Sequence, residues 1–117
     1  MSEPYSHITQ FSLFHAHVYF NDNNKALAKN LCERAHLELG LKVGRFHEKN
    51  VGPHPCWSCQ ISLTANEMPS SLEWLEQHRQ GLTIFVHALS GDDLKDHTEH
   101  VYWLGQPRDL ILDIFRN

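Results

Sequence analysis

FSLFHAHVYF, residues Phe11 to Phe20, alternates in period two. Phe14, Ala16, Val18 and Phe20 fall on one side, with His15, His17 and Tyr19 on the other. Side chains of an extended chain point to opposite faces in turn, so this pattern predicts a strand with one face on a core and one face carrying imidazoles. The apolar face needs a cover, and the chain supplies one directly afterwards. Asn21 to Asn24 is a polar break with good capping residues. Ala26, Leu27, Leu31, Ala35 and Leu39 then recur at helical spacing until Gly40, which predicts a helix over Lys25 to Leu39.

Three further alternating stretches follow. Leu41 to Glu48 reads as a strand with Phe46 inward and Arg45 and His47 opposite. Gly52-Pro53-His54-Pro55 is a turn whose backbone is held by glycine and proline. Trp57 to Thr64 puts Cys59, Ile61 and Leu63 inward and Ser58, Gln60 and Ser62 outward. Ser70 and Glu73 have capping-box spacing ahead of a short amphipathic helix ending at Gly81. Leu82 to Leu89 divides into Leu82, Ile84 and Val86 on one face and Thr83, Phe85 and His87 on the other. Leu94 to Leu104 is a mixed segment with room for a short helix containing His97 and His100, and Leu110 to Phe115 reads as one more strand.

The order β-α-β-β-α-β predicts an α+β fold, a ferredoxin-like sandwich with a C-terminal extension that closes over a sheet edge or an open face. In that fold the helices cover one sheet face. The core is then expected from Phe14, Val18, Phe46, Ile61, Ile84 and Val86, and the other face receives His15, His17, Arg45, His47, Gln60 and His87. The expected strand order 4-1-3-2 makes the strands of His17 and His87 neighbours, close enough for their side chains to share a metal ion.

At 117 residues the chain is expected to form a single domain, residues 1-117, with 41% hydrophobic residues and a formal charge of −4. No cluster of Lys and Arg stands out, which argues against nucleic acid and anionic membranes as partners. Without a long apolar run or a basic, apolar leader, the expectation is a cytoplasmic protein that neither spans a membrane nor is secreted. Three cysteines fit reduced thiols. Cys56-Trp57-Ser58-Cys59 has the spacing of a redox pair or half a zinc site. A redox pair needs a helix N-terminus and a Cys-rich zinc site a second pair, so small buried hydrophobes in a strand are the better reading.

Histidine is the anomaly, with ten spread along the chain. His7, His36 and His78 fall in polar or helical settings and read as surface residues. Neutral imidazole is the usual ligand for zinc, copper and iron, and His17 and His87, with His47 or His54, are the candidate metal ligands. Glu48, Asp92, Asp96 and Glu99 are carboxylates that could complete a two-His, one-carboxylate site, but Glu48 alternates onto the core-facing side and no carboxylate shares the histidines' strand face. An all-His site is equally open, as are a surface His cluster and a polar dimer seam.

HAHVYF at His15, GRFHEKNVGPHP at Gly44, GLTIFVHALSGDD at Gly81 and DHTEHVYWLG at Asp96 follow one another in an order that resembles the small DOPA 4,5-dioxygenase family of bacteria and pigment-forming fungi. The resemblance covers nearly the whole chain. It implies a ferredoxin-like homodimer that opens the ring of a catechol such as DOPA by extradiol-type cleavage, with O2 and a non-haem metal. Fe(II) is the expected ion, with Zn or another divalent metal in a purified sample. It matches His15, His17, His47, His54, His87 and His97 to the family's motifs. On that basis His17 and His87, with His47 or His54, hold the metal, and His15 or His97 carries protons. Arg45 and Gln60 bind substrate, and Tyr19, Phe85 and Trp103 form an aromatic slot. Two departures concern Ala88, where proline is more usual, and Cys56-Trp57, where smaller residues are more usual and a bulky rim alters which catechol fits. The alternatives are a metal- or small-molecule-binding protein without turnover, a ligand-free interaction module, and a cofactor-independent monooxygenase.

Overall fold

A computed structural model describes residues 5–115. After a short 3-10 turn at Ser6–Ile8 come Leu13–Phe20 (β1), Lys25–Leu39 (α1), Lys42–His47 (β2), Trp57–Thr64 (β3), Met68–His78 (α2), Ile84–Ala88 (β4), Asp93–Asp96 (α3), Val101–Leu104 (β5) and a second 3-10 turn, Leu112–Phe115. The strands form one antiparallel sheet in the order β2-β3-β1-β4-β5. The first four keep the ferredoxin-like arrangement and β5 extends the sheet beyond β4.

The core lies between one sheet face and the two long helices. Phe14, Val18, Ile61, Ile84 and Val86 are buried there against Leu31 of α1 and Leu72 and Leu75 of α2. Each such side chain removed from water contributes roughly 1.5–3 kcal/mol, which is what keeps the sheet and helices together. Phe46 is half-buried and stacks on Phe20 with ring centroids 4.1 Å apart. Gly40 takes φ +70°, and its N–H bonds to the carbonyl of His36, so the left-handed residue closes α1 as the sequence predicts.

Four local expectations are corrected. First, α2 starts at Met68 rather than at Ser70: Pro69 occupies its first turn, and Glu67 Oε1 accepts the N–H of Thr64, so the Ser70/Glu73 box is not used. Second, the regular alternation of β2 is broken. Val43 pairs with Ile61 and Phe46 with Cys59, so both face the core and Gly44 and Arg45 together oppose Gln60 as a bulge.

Third, Leu110 to Phe115 is not a strand; its ordered part is the 3-10 turn, with Ile111 and Ile114 exposed. A short apolar run fits several conformations, and here the sheet edge is already taken by β5. Fourth, the mixed segment before it holds this strand, paired through Ile84 with Leu104 to His87 with Val101, and its helix stops before His97 and His100. The C-terminal segment instead crosses the open face, held where Ile111 N–H donates to the Pro53 carbonyl at 2.8 Å. Among the described residues no helix is long and apolar enough to cross a membrane.

Candidate active site

Register brings the uncovered face together row by row. Ser62 on β3, His15 on β1, His87 on β4 and Val101 on β5 stand side by side in one row. Gln60, His17, Phe85 and Trp103 make the next, and Ser58 lies beside Tyr19 in a third. His15 and His87 are therefore direct cross-strand partners, and His17 is the diagonal neighbour of His87. His17 Nε2 and His87 Nε2 are 3.0 Å apart. One ring nitrogen each of His15, His17 and His87 lies within 4.8 Å of the others.

His54 reaches this face from the Gly-Pro-His-Pro turn. Its ring centroid is 4.1 Å from that of His17, and its Nδ1 is 2.8 Å from the Tyr19 hydroxyl. His97, the residue after α3, packs on His87 with the rings tilted and their centroids 4.3 Å apart, and is itself stacked on Phe115 at 4.6 Å. Phe85 and Trp103 pack at 4.5 Å, with Tyr19 6.1 Å from Trp103, so these three rings form a packed cluster beside the imidazoles. Gln60 places its amide nitrogen 3.3 Å from His15 Nε2. His47 lies at the margin, half-buried on the edge strand, and Arg45 is exposed in the β2 bulge. Neither His47 nor His54 belongs to the converging triplet. The carboxylates are elsewhere: Glu48 pairs with Lys25 at 2.6 Å, and Asp96 is buried against Ser90 and His100.

The remaining histidines have partners away from the cluster. His7, His36 and His78 donate to the carbonyls of Val101, Leu41 and Trp74, and His100 donates to Asp96. Cys32 and Cys59 are buried, whereas Cys56 is half-buried just ahead of β3.

Hydrogen bonds decide what each ring can offer. His87 Nδ1 is 3.0 Å from the Ala88 carbonyl, and a carbonyl only accepts. His87 therefore carries its proton on Nδ1 and turns a lone pair out at Nε2. His97 is held the same way, Nδ1 donating to the Asp93 carbonyl at 2.7 Å. Burial favours the uncharged form of His17, His54 and His87. It moves His87 from the ordinary histidine value of 6.5 down to about 3 and His54 down to about 4. His17 is lowered well below the ordinary value, chiefly by burial and then by the adjacent His54 and His87. Neutral imidazoles are what a divalent metal requires.

The sequence profile of the Dopa 4,5-dioxygenase family matches residues 14–114. The chain is 33% identical over 113 residues to a 21.2 kDa protein of Botryotinia fuckeliana, the match covering 85% of this chain and 62% of that one. It is 30% identical over 108 residues to the DOPA 4,5-dioxygenase of Amanita muscaria, covering 85% of this chain and 47% of the relative. The chain thus spans between about half and three-fifths of the length of these curated relatives. A crystal structure of a candidate dioxygenase from Nostoc punctiforme superposes with a TM-score of 0.79 at 32% identity, covering 92% of this chain and 93% of that one.

Proposed function

This chain belongs to the Dopa 4,5-dioxygenase family, and we propose that it is a metal-dependent, extradiol-type dioxygenase that opens the ring of a catechol such as DOPA with O2. The observation that carries this reading is the convergence of His15, His17 and His87, with ring nitrogens inside 4.8 Å. Two nitrogens bound at about 2.1 Å to one ion stand about 3 Å apart, and His17 Nε2 and His87 Nε2 are 3.0 Å apart. The donor set fits a non-haem divalent ion, Fe(II) for oxygen chemistry. His15 is thereby reassigned from proton carrier to ligand, and His47 and His54 are released from the ligand set. When bound, the metal would take up both catechol oxygens, lower their pKa and let electron density reach O2.

The protein's own groups supply the rest. The Ala88 carbonyl fixes the His87 ring so that its lone pair stays directed outward, the second-neighbour support that metal-binding imidazoles need. Gln60 holds His15, which gives it an indirect part in substrate binding. His97, with its Nδ1 proton committed to Asp93 O, has a free lone pair at Nε2 and accepts a phenolic proton. Trp103, half-buried, presents apolar ring surface for the catechol, and the buried rings of Phe85 and Tyr19 pack behind it. Arg45, exposed on the edge strand, serves a substrate carboxylate only when its long side chain folds back over the face. We also propose a cytoplasmic homodimer, the assembly and compartment that the sequence suggests.

Anaerobic loading with Fe(II), addition of DOPA and then air tests the proposal: a yellow ring-opened product and oxygen uptake are expected. Bound metal without colour across a panel of catechols would favour a binding protein without turnover.

A further inference from the structure

Tyr19 is buried, 3% exposed, and its ring packs beside the Phe85–Trp103 pair. Its hydroxyl lies 2.8 Å from Nδ1 of His54, a residue 5% exposed and clamped between Pro53 and Pro55. A turn bond from His54 N–H to the Val51 carbonyl fixes the loop that presents it. Neither partner of this bond is free to turn away.

The direction of the bond follows from the chemistry of the two groups. A tyrosine phenol is protonated near neutral pH, and a buried O–H requires an acceptor. The nitrogen at 2.8 Å is the acceptor available to it. A neutral imidazole has one N–H and one lone pair. With the lone pair of Nδ1 engaged by the phenol, the ring proton must reside on Nε2.

We propose that Tyr19 is a positioning residue that locks His54 in its Nε2–H tautomer, so that His54 acts beside the His15, His17 and His87 group as a hydrogen-bond donor to an oxygen of the bound substrate rather than as a metal ligand. The face then carries imidazoles of opposite character. His97, tied to Asp93 through its Nδ1–H, offers a lone pair; His54, tied to Tyr19 through its Nδ1 lone pair, offers a proton. A catechol losing a proton on one side and gaining a hydrogen bond on the other is a task for such a pair. This inference deepens the function proposed above and rests on it for the substrate class alone; the tautomer is a property of the protein without metal or substrate.

The test is long-range proton–nitrogen NMR on the metal-free protein labelled with nitrogen-15 in histidine, near neutral pH. The wild type is expected to show His54 with its proton on Nε2, and Tyr19→Phe to show His54 as a mixture of both tautomers with the other ring signals retained. A His54 proton on Nδ1 in the wild type, or a tautomer unchanged by Tyr19→Phe, would overturn the proposal whether or not the protein is an oxygenase. Cobalt(II) titration supplies the second reading. His54→Gln should keep its cobalt affinity within about threefold of wild type, while His17→Gln loses well over tenfold, the scale on which even supporting residues act. Equal losses in the two variants would make His54 a ligand and sink the idea.

Discussion

His17 Nε2 and His87 Nε2 face each other at 3.0 Å from adjacent antiparallel strands, two residues out of direct register. In the metal-free protein one of them must donate, and the Ala88 carbonyl has already claimed the proton of His87 at Nδ1, so His17 Nε2–H donates. To offer its Nε2 lone pair to a metal, neutral His17 would carry its proton on Nδ1 instead, a change of tautomer that requires no movement of either ring. The site is thus close to assembled before any ligand arrives, which is what preorganisation for metal binding means.

That relationship makes the metal site separable by mutation. His17→Gln and His87→Gln should each lower divalent metal content by well over tenfold, with the far-ultraviolet circular dichroism of the fold retained. His47→Gln, at the margin of the face, should leave metal content near wild type. Elemental analysis after dialysis against equimolar metal reads the difference. Equal retention in all the variants would place the ion elsewhere.

Acid should destabilise the metal-free protein in a defined window. His54 and His87 have folded values of about 4 and about 3 against 6.5 ordinarily. Between those limits the unfolded chain binds more protons than the folded one, so stability falls as pH drops. The contribution of these neutral rings is fully present above about pH 6.5, declines by about 1.4 kcal/mol per pH unit for each buried ring, and levels off below the folded values. Urea midpoints measured from pH 7.5 to about 4 would show the slope. Metal at saturating concentration should steepen it, because protons and metal compete for the same lone pairs.

Asp96 supports the site at a distance. Its carboxylate accepts the Ser90 N–H and the His100 Nδ1–H, both at 2.8 Å, and thereby ties α3 to the end of β4. Asp96→Ala removes the acceptor of the exposed Ser90 N–H and of the half-buried His100 ring and should cost about 2 kcal/mol in urea unfolding. It should also free His97 from its place on His87, visible as faster amide exchange across α3. An unchanged exchange pattern would deny Asp96 that part.

The aromatic slot predicts a binding effect with little structural consequence. Trp103 is half-buried on β5, 4.5 Å from Phe85. Trp103→Leu should weaken catechol binding about fivefold to tenfold, the worth of one aromatic pair. KM should rise more than kcat falls. A pure kcat effect would instead link Trp103 to proton transfer.

Much of this was legible in the chain because alternation is a local property. Phe14, Val18, Ile61, Ile84 and Val86 could be assigned to the core, and His15, His17 and His87 to the opposite face, from period two alone. Which imidazoles meet was another matter. Convergence depends on register, and the sequence reading had no means of knowing that His15 stands opposite His87 while His17 stands opposite Phe85. The β2 bulge hid for the same reason: strict alternation from Phe46 puts Val43 on the site's face, whereas its pairing with Ile61 turns it to the core, and the extra residue is seen only against the partner strand. The Tyr19–His54 bond joins β1 to a turn far along the chain, and its single local hint was that Tyr19 shares the parity of His15 and His17. The apolar run ending at Phe115 was misread because its conformation is set by a tertiary hydrogen bond to Pro53 and by packing on His97, neither of which leaves a local mark.

The most direct measurement follows isotopically labelled O2 into the product of the Fe(II)-loaded protein and a catechol, by mass spectrometry, with His17→Gln as the control. The expected result is both oxygen atoms in one ring-opened molecule from the wild type and none from the variant. One labelled atom per product, or the same product from His17→Gln, would contradict ring-opening dioxygenation at the histidine triplet.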